Sequence, residues 1–379
     1  MTVCYSKEYG WVDISSHLPD TQKVLSLSAM CWVNDNNGWI CSSDSNVIYH
    51  TKDGGLTFET QNTLHYTKAI CMLNDTLGYS GGYDGYVYRT INGGKDWTSI
   101  GTIGKTLTSI SFPPSSSVGY CCGYSGKIYK IESSTLSSMN SGLTATNLSS
   151  ISFPGTQGYA CGEQVIIHFS GTSWKLDQGY PDATYSSIYM IDSTTGLAVG
   201  DYGTIIKTTD GTNWNAQPSN TINSLYSVFF LDTKNGWVVG LNGTILHTTN
   251  GGALWNVDGA GLTTTILRSI QFTSPTNGYV IGNKGTLLHY TEITSAVKYQ
   301  DNKTIRDQNI QIGYINGLVS IKTSGNLPIE KISILDLRGK MQKETMQNNN
   351  INTSGLPKGV YFVKYVTNAK TNAVKIVKK

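Results

Sequence analysis

Apolar residues in this chain come in short runs rather than in long or helically spaced ones. Residues 235–255, NGWVVGLNGTILHTTNGGALW, show the unit. Gly236–Gly240 (GWVVG) is an aromatic and β-branched run closed by glycine, and 240–243 (GLNG) reads as a tight turn. A second apolar run follows at 244–248 (TILHT), and 248–255 (TTNGGALW) is a turn closed by a tryptophan. Strand, glycine turn, strand, turn, strand is the pattern of a β-meander. Its leading glycine recurs at Gly38, Gly78, Gly119, Gly158, Gly196, Gly236 and Gly278, at spacings of 40, 41, 39, 38, 40 and 42 residues. A fixed period of this size in an all-β pattern predicts propeller blades. Helical repeats of similar length need apolar residues three and four apart, which these glycine-bounded runs lack.

The repeat supplies an innermost strand before its glycine (227–231, 269–272 and 109–112 in three copies), then the glycine-led strand, a TILHT-type strand and, in its complete form, a strand opened by tryptophan. The seventh copy has no tryptophan strand after 286–291, whereas the chain opens with 10–14 (GWVDI). Open sheet edges invite pairing, so the N-terminal segment is expected to complete the last blade. Trp11 then takes the slot of Trp97, Trp214 and Trp255, beside Leu287 and His289. Residues 293–309 are polar and aperiodic and read as a linker, after which 318–322, 332–337, 359–365 and 373–378 alternate as strands of a small sandwich. The expected fold is all-β: a seven-bladed β-propeller over 1–292 and a small C-terminal β-sandwich over 310–379.

Charge separates the same two regions. Residues 1–292 carry 14 Lys and Arg against 20 Asp and Glu, and residues 310–379 carry 11 against 3. No apolar run is long enough to span a membrane, and MTVCYSKEYG lacks the basic start and apolar centre of a signal peptide. Either the protein is intracellular or the sequence begins after a removed leader. Cys4, Cys31, Cys41, Cys71, Cys121, Cys122 and Cys161 are odd in number and lie in the first half, which is no disulfide framework. Cys41, Cys122 and Cys161 stand three residues after the repeat glycine, where later copies have Val199, Val239 and Ile281, so buried free thiols are expected.

The turn before the tryptophan resembles the Asp-box or BNR repeat. Thr51, Asp53, Gly55 and Phe58 match it, as do Thr90, Asn92, Gly94 and Trp97, and Thr248, Asn250, Gly252 and Trp255; the copy with Thr208, Asp210 and Trp214 is one residue short. The short acceptor caps its own turn and glycine takes the positive-φ position, so these Asp and Asn residues read as structural. The whole phrase resembles the photosystem II stability/assembly-factor-like propellers, over about residues 5–292. The resemblance implies a binding platform rather than an enzyme. Photosynthetic members are assembly factors that use a basic surface, whereas this propeller has only Arg89 and Arg268 and is net acidic. Residues 335–340 (LDLRGK), 351–362 (INTSGLPKGVYF) and the terminal KIVKK resemble the type A C-terminal sorting domain of the type IX secretion system. That implies a Bacteroidetes-type bacterium and a secreted or outer-surface protein, handled by that machinery through residues 310–379. It favours a removed leader.

Candidate chemistry falls at equivalent positions of the copies. His50, Arg89, Lys130, His168, Lys207, His247 and His289 precede the Asp-box threonine or its counterpart in successive copies. Equivalent residues are spread around a ring, whereas metal ligands converge on one ion, so no metal is expected. Two arginines cannot form the three-arginine grip of a sialidase. A glycan-cleaving hydrolase needs two carboxylates flanking a sugar, and Asp44, Asp84, Glu163 and Asp201 fall in the turns between second and third strands. That is the alternative reading. No nucleophile elbow, phosphate loop, HExxH or dinucleotide fingerprint is present, no cofactor is expected, and the propeller lacks the basic stripe of a nucleic-acid binder. The favoured reading is a non-catalytic propeller that recognises a protein or carbohydrate on one face. Its contact residues are Tyr83, Asp84, Tyr124, Asp201 and Tyr202 in those turns, with Tyr66, Tyr185 and Tyr226 on the loops leading to inner strands.

Overall fold

The computed structural model describes residues 8–19, 25–63, 65–177, 182–293, 310–315, 318–323, 330–336, 340–346, 350–353, 355–357, 359–367 and 370–378. Cys4 and linker residues 294–309 lie outside this set, while residue 293 ends a strand, Leu287–Ile293.

Seven four-stranded antiparallel sheets follow one another along the chain. These are the blades of a seven-bladed propeller. In chain order they cover 27–62, 67–102, 107–139, 148–176, 185–217, 225–257 and, in blade 7, 267–293 with Glu8–Asp13. Blade 6 shows the order, with Leu225–Phe230 innermost, then Gly236–Gly240, Ile245–Thr248 and Asn256–Val257. Inner strands begin two residues before the expected starts, at Leu225 rather than Ser227 in this blade. A bulge follows the first residue of most of them, for instance between Leu225 and Ser227. The glycine closing the second strand lets the incoming loop approach there. A Cβ on Gly162 would stand 2.0 Å from the Asn147 carbonyl oxygen, and one on Gly240 2.2 Å from that of Ser224.

The repeat glycine has a different cause. It lies beside the large residue near or at the end of its own inner strand: Trp32, Met72, Phe112, Phe153, Met190, Phe230 or Phe272. A Cβ at Gly38 would meet the Trp32 ring at 2.3 Å, and one at Gly278 would meet Phe272 at 2.5 Å. In most blades that large residue also meets the second-strand aromatic of the preceding blade. Trp32 stacks on Tyr279 at 3.6 Å, Phe153 on Tyr120 at 3.7 Å and Phe272 on Trp237 at 3.8 Å between ring centroids. Each such pair contributes roughly 0.5–1.5 kcal/mol beyond the area it buries. Where an aromatic opens the fourth strand, it reaches back to the same neighbour. Trp255 packs with Leu197 and Ile205 of blade 5, Trp214 with Tyr159 and Ile166 of blade 4, and Phe58 with Tyr279 and Leu287 of blade 7.

The inner strands leave one edge turned toward the central channel. Side chains of neighbouring blades cap its backbone groups. Ser111 Oγ accepts from Phe153 N at 3.0 Å, Ser152 Oγ from Met190 N at 3.1 Å and Gln271 Oε1 from Trp32 N at 2.9 Å. One register further on, Ser109 caps Ile151 N and Ser227 caps Ile270 N. Buried backbone donors must be paired, and this requirement accounts for the serines of the inner strands.

Strand Glu8–Asp13 lies at the outer edge of blade 7, against Leu287–Ile293. Trp11 is buried and packs as the other fourth-strand tryptophans do, on the preceding blade, here against Trp237 and Val239. Its neighbours in blade 7 are Leu288 and Tyr290 rather than the expected Leu287 and His289. Successive strand residues face opposite ways, and Leu287 faces the cluster that holds Ile14 and Tyr279 of the blade 7–blade 1 seam.

The chain divides into two compact units, Trp11–Tyr290 and the remainder. The C-terminal part holds two sheets, one of Ile310–Ile315, Leu318–Thr323 and Asn350–Asn352, the other of Lys331–Asp336, Met341–Met346, Gly359–Thr367 and Lys370–Lys378. Val319, Ile332, Ile334, Ile351, Leu356, Tyr361, Val363 and Tyr365 form its core. Three of these strands, 310–315, 341–346 and 350–352, were not expected.

Candidate functional site

The bulge and the closing glycine bring the loops before each inner strand and the turns after each second strand to one end of the channel. The turns are tight because their second residue often sits at positive φ: Ser125, Gln164, Tyr202, Asn242 and Lys284 lie at 53–57°. A non-glycine side chain is thereby held outward at the rim, and Tyr202 is 84% exposed.

Inside this rim is a cavity of about 500 Å³, lined by inner-strand residues of all seven blades. Its wall is largely small hydroxyls, among them Ser28, Thr108, Ser150, Ser187 and Ser269. Two cations stand in it, Lys68 on blade 2 and Arg268 on blade 7. Lys68 Nζ lies 5.0 Å from the Tyr83 ring centroid and 5.7 Å from that of Tyr124. Arg268 lies 5.1 Å from the Tyr226 ring centroid, and its Nε donates to Asn283 Oδ1 at 3.1 Å. Ring faces attract cations by about 0.5–2 kcal/mol. Burial, and secondly the Arg268 charge, hold the Lys68 ammonium below its ordinary pKa. Neither cation forms a carboxylate ion pair among the described residues. The site therefore presents positive charge framed by aromatic rings, in a propeller that is net negative.

Of the residues expected from sequence, Tyr83, Tyr124 and Tyr226 line the cavity and are brought together by the two cations. Tyr66, Asp84, Asp201 and Tyr202 do not line it. Tyr185 is a correction: it is fully buried and offers no contact surface. It opens its inner strand, where other blades have the equally buried Leu27, Leu107, Leu148, Leu225 and Leu267, so its ring fills a core slot. Sequence reasoning missed Lys68 and Arg268. Their signal is a charge at the second position of an inner strand, where other copies have serine, threonine or tyrosine.

The four carboxylates sit in separate blades, and none lines the cavity. Asp44 accepts from Ser26 N at 2.9 Å and from the Ser42 hydroxyl. Partial burial opposes ionisation of Asp44, but the hydrogen bonds from Ser42 and Ser26 prevail and hold it below the usual carboxylate range. That is the reverse of what a general acid requires. Asp84 accepts from Tyr86 N and the Tyr88 hydroxyl, and Glu163 from the Asn147 side chain. These bonds make them turn braces.

The repeated His/Lys/Arg position is a cross-strand partner of the second-strand aromatic in most blades. His50 stacks on Trp39 at 4.4 Å, His247 on Trp237 at 4.3 Å and His289 on Tyr279 at 4.5 Å. Burial lowers the pKa of all three, His289 to about 4, so they are neutral stacking partners near neutral pH. His168 instead pairs with the buried Asp177, which also accepts from Trp214 Nε1 at 2.9 Å. The Asp-box residues cap their own turns, as Asp53 does for Thr57 N at 2.9 Å and Asn250 for Leu254 N at 2.9 Å. Cys41, Cys121, Cys122 and Cys161 are fully buried, and burial pushes the Cys122 thiol up to about 12.

Residues 224–291 match the family described as photosynthesis system II assembly factor YCF48, and residues 315–379 match the secretion system C-terminal sorting domain. A solved structure described as YCF48 bound to D1 peptide is 17% identical, with a TM-score of 0.61 over 76% of this chain and 96% of its own. YCF48 from Cyanidioschyzon merolae is 18% identical, with a TM-score of 0.61 over 74% of this chain and 99% of its own. The WD40 β-propeller domain of Doa1 is 12% identical, with a TM-score of 0.62 over 76% of this chain and 97% of its own. At these identities the likeness is one of fold. No curated protein matches the sequence.

Proposed function

We propose, for a chain that joins a YCF48-like seven-bladed propeller to a type IX secretion sorting domain, that the propeller is an exported, non-catalytic binding module for a protein segment. The sorting domain marks the chain for the cell surface or the outside. The propeller, over about 1–292, is the working part, and residues from about 310 address it to the secretion machinery. The observation that carries the binding reading is the pair of cations, Lys68 and Arg268, held against Tyr83, Tyr124 and Tyr226 around an open cavity with no carboxylate partner among the described residues. Such a site suits an extended peptide with a carboxylate and apolar or aromatic side chains. Peptide carbonyls meet the hydroxyl wall, the carboxylate meets the cations, and side chains lie on the rings. Tyr202, Asp84 and Asp201 then serve as rim contacts. A propeller of the same fold was solved with a peptide bound, which supports this class of partner.

The test is a binding screen of the full chain against acidic and neutral peptide libraries and a glycan panel. Peptides bearing carboxylates should bind. Lys68→Ala, and Tyr83→Ala with Tyr124→Ala, should each weaken binding at least about tenfold with the melting temperature unchanged. Peptide binding undiminished in both variants, or glycans bound and no peptide, sinks the assignment.

A further inference from the structure

Two of the side chains at the inner-ring capping register are thiols. Cys31, in inner strand Leu27–Trp32 of blade 1, and Cys71, in Thr67–Met72 of blade 2, are 40 residues apart and hold the same register in adjacent blades. Cys31 Sγ accepts from Met72 N at 3.1 Å and lies 3.7 Å from the Met72 carbonyl oxygen. Met72 follows Cys71 directly, so the Cys31 sulfur lies against the backbone next to Cys71, near enough for the Cys71 thiol to act on the Cys31 pKa. Both are partly exposed, whereas Cys41, Cys121, Cys122 and Cys161 are buried. In blades 3 and 4 the same duty is met by Ser111 and Ser152. Capping therefore does not require sulfur, and these are the adjacent inner-ring positions whose side chains can be joined covalently.

We propose that Cys31 and Cys71 are an oxidation site that closes to an inter-blade disulfide once the chain leaves the reducing cytoplasm. The neighbouring Cys71 thiol lowers the Cys31 pKa while that of Cys71 is raised, so Cys31 is the sulfur that ionises first. The oxidant is a low-molecular-weight disulfide. The Cys31 thiolate attacks one of its sulfurs, forming a mixed disulfide and expelling one thiolate. Cys71 loses its proton to water and attacks Cys31 Sγ, forming the Cys31–Cys71 bond and expelling the second thiolate. Two electrons pass to the oxidant, which ends as two thiols. The bond joins equivalent points one blade period apart and staples blade 1 to blade 2 on the inner ring, and closing this 40-residue loop restrains the unfolded chain.

The experiment uses the full chain, reduced and then incubated with oxidised glutathione, alkylated without reduction, digested and analysed by mass spectrometry. The expected product is a peptide pair joined through Cys31 and Cys71 and lighter by two hydrogens. The melting temperature should rise by about 5 °C on oxidation and fall back with dithiothreitol. Cys31→Ser with Cys71→Ser keeps the caps as hydroxyls and should show no redox-dependent shift. Full alkylation of both thiols after oxidant treatment, or a stable glutathione adduct on Cys31 with Cys71 free, overturns the proposal, and both readouts come from the unmutated chain.

Discussion

At the scale of single residues, the repeat glycines are set by what lies beside them. Gly158 has no room for a methyl group because the Phe153 ring stands 2.1 Å from where its Cβ would be. That ring is itself held by Tyr120 at 3.7 Å and by Trp174 edge-on at 6.0 Å. At Gly196 the nearest obstacle is the Met190 sulfur at 2.2 Å, on a side chain with rotatable bonds to spare, and the Tyr189 carbonyl oxygen follows at 2.9 Å. Gly158→Ala should therefore cost about 3 kcal/mol and Gly196→Ala about 1 kcal/mol, read as chemical denaturation midpoints. Equal losses would show that the stacked ring is not the constraint. The glycine spacing was legible in the sequence, but the residue filling the missing Cβ was not, because it comes from the strand before and is pinned by the next blade over. Histidine at the third-strand position shows the same limit. Its period could be counted, while its stacking on Trp39, Trp237 or Tyr279 depends on strand register.

At the scale of elements, the N-terminal strand is tied to blade 6 as well as blade 7. Trp11 Nε1 donates to Asp258 Oδ2 at 3.0 Å, and Trp237 Nε1 reaches the same oxygen at 3.3 Å. Asp177 does the same for Trp214, three residues after Trp174 as Asp258 is after Trp255. Losing the acceptor leaves buried indole donors unpaired. Asp258→Ala should lower stability by about 2 kcal/mol, while Asp258→Asn, which keeps an acceptor oxygen, should lose well under half of that. Removing residues 1–15 should cost more, because it also bares the edge of Leu287–Ile293 and opens the apolar face that Trp11 covers. Thermal unfolding checks all three, and a truncated chain that melts like the intact one would contradict closure by this strand. The seventh-blade shortage was readable by counting strands; the aspartate was not, since a lone acid after a short strand looks like any surface residue.

At the scale of the whole molecule, the two regions differ in core and charge. The propeller's hydrophobic clusters lie in its blade seams, whereas the C-terminal part has its own cluster around Val319, Ile334 and Val363. Deleting residues 310–379 should leave the propeller's melting temperature within about 2 °C of the intact value, because strands with their own core fold independently. It should also abolish export from a host that has type IX secretion. Calorimetry and culture-medium immunoblotting check the two halves of this prediction, and a shift of about ten degrees would mean that the propeller depends on its tail.

The sequence by itself determined the all-β class, the blade count, the incomplete last blade and the sorting tail. Each of these is written in local order: glycine spacing, alternating runs and short motifs that act within one turn or strand. Tertiary structure alone decided which residues make the site. Lys68 and Arg268 are 200 residues apart, and only ring closure sets them in one cavity with Tyr83, Tyr124 and Tyr226. The same closure buried Tyr185, whose place at the head of its strand follows from a bulge that the alternating pattern did not reveal. It also set Cys31 against Cys71, because inner strands meet side by side only when neighbouring blades pack.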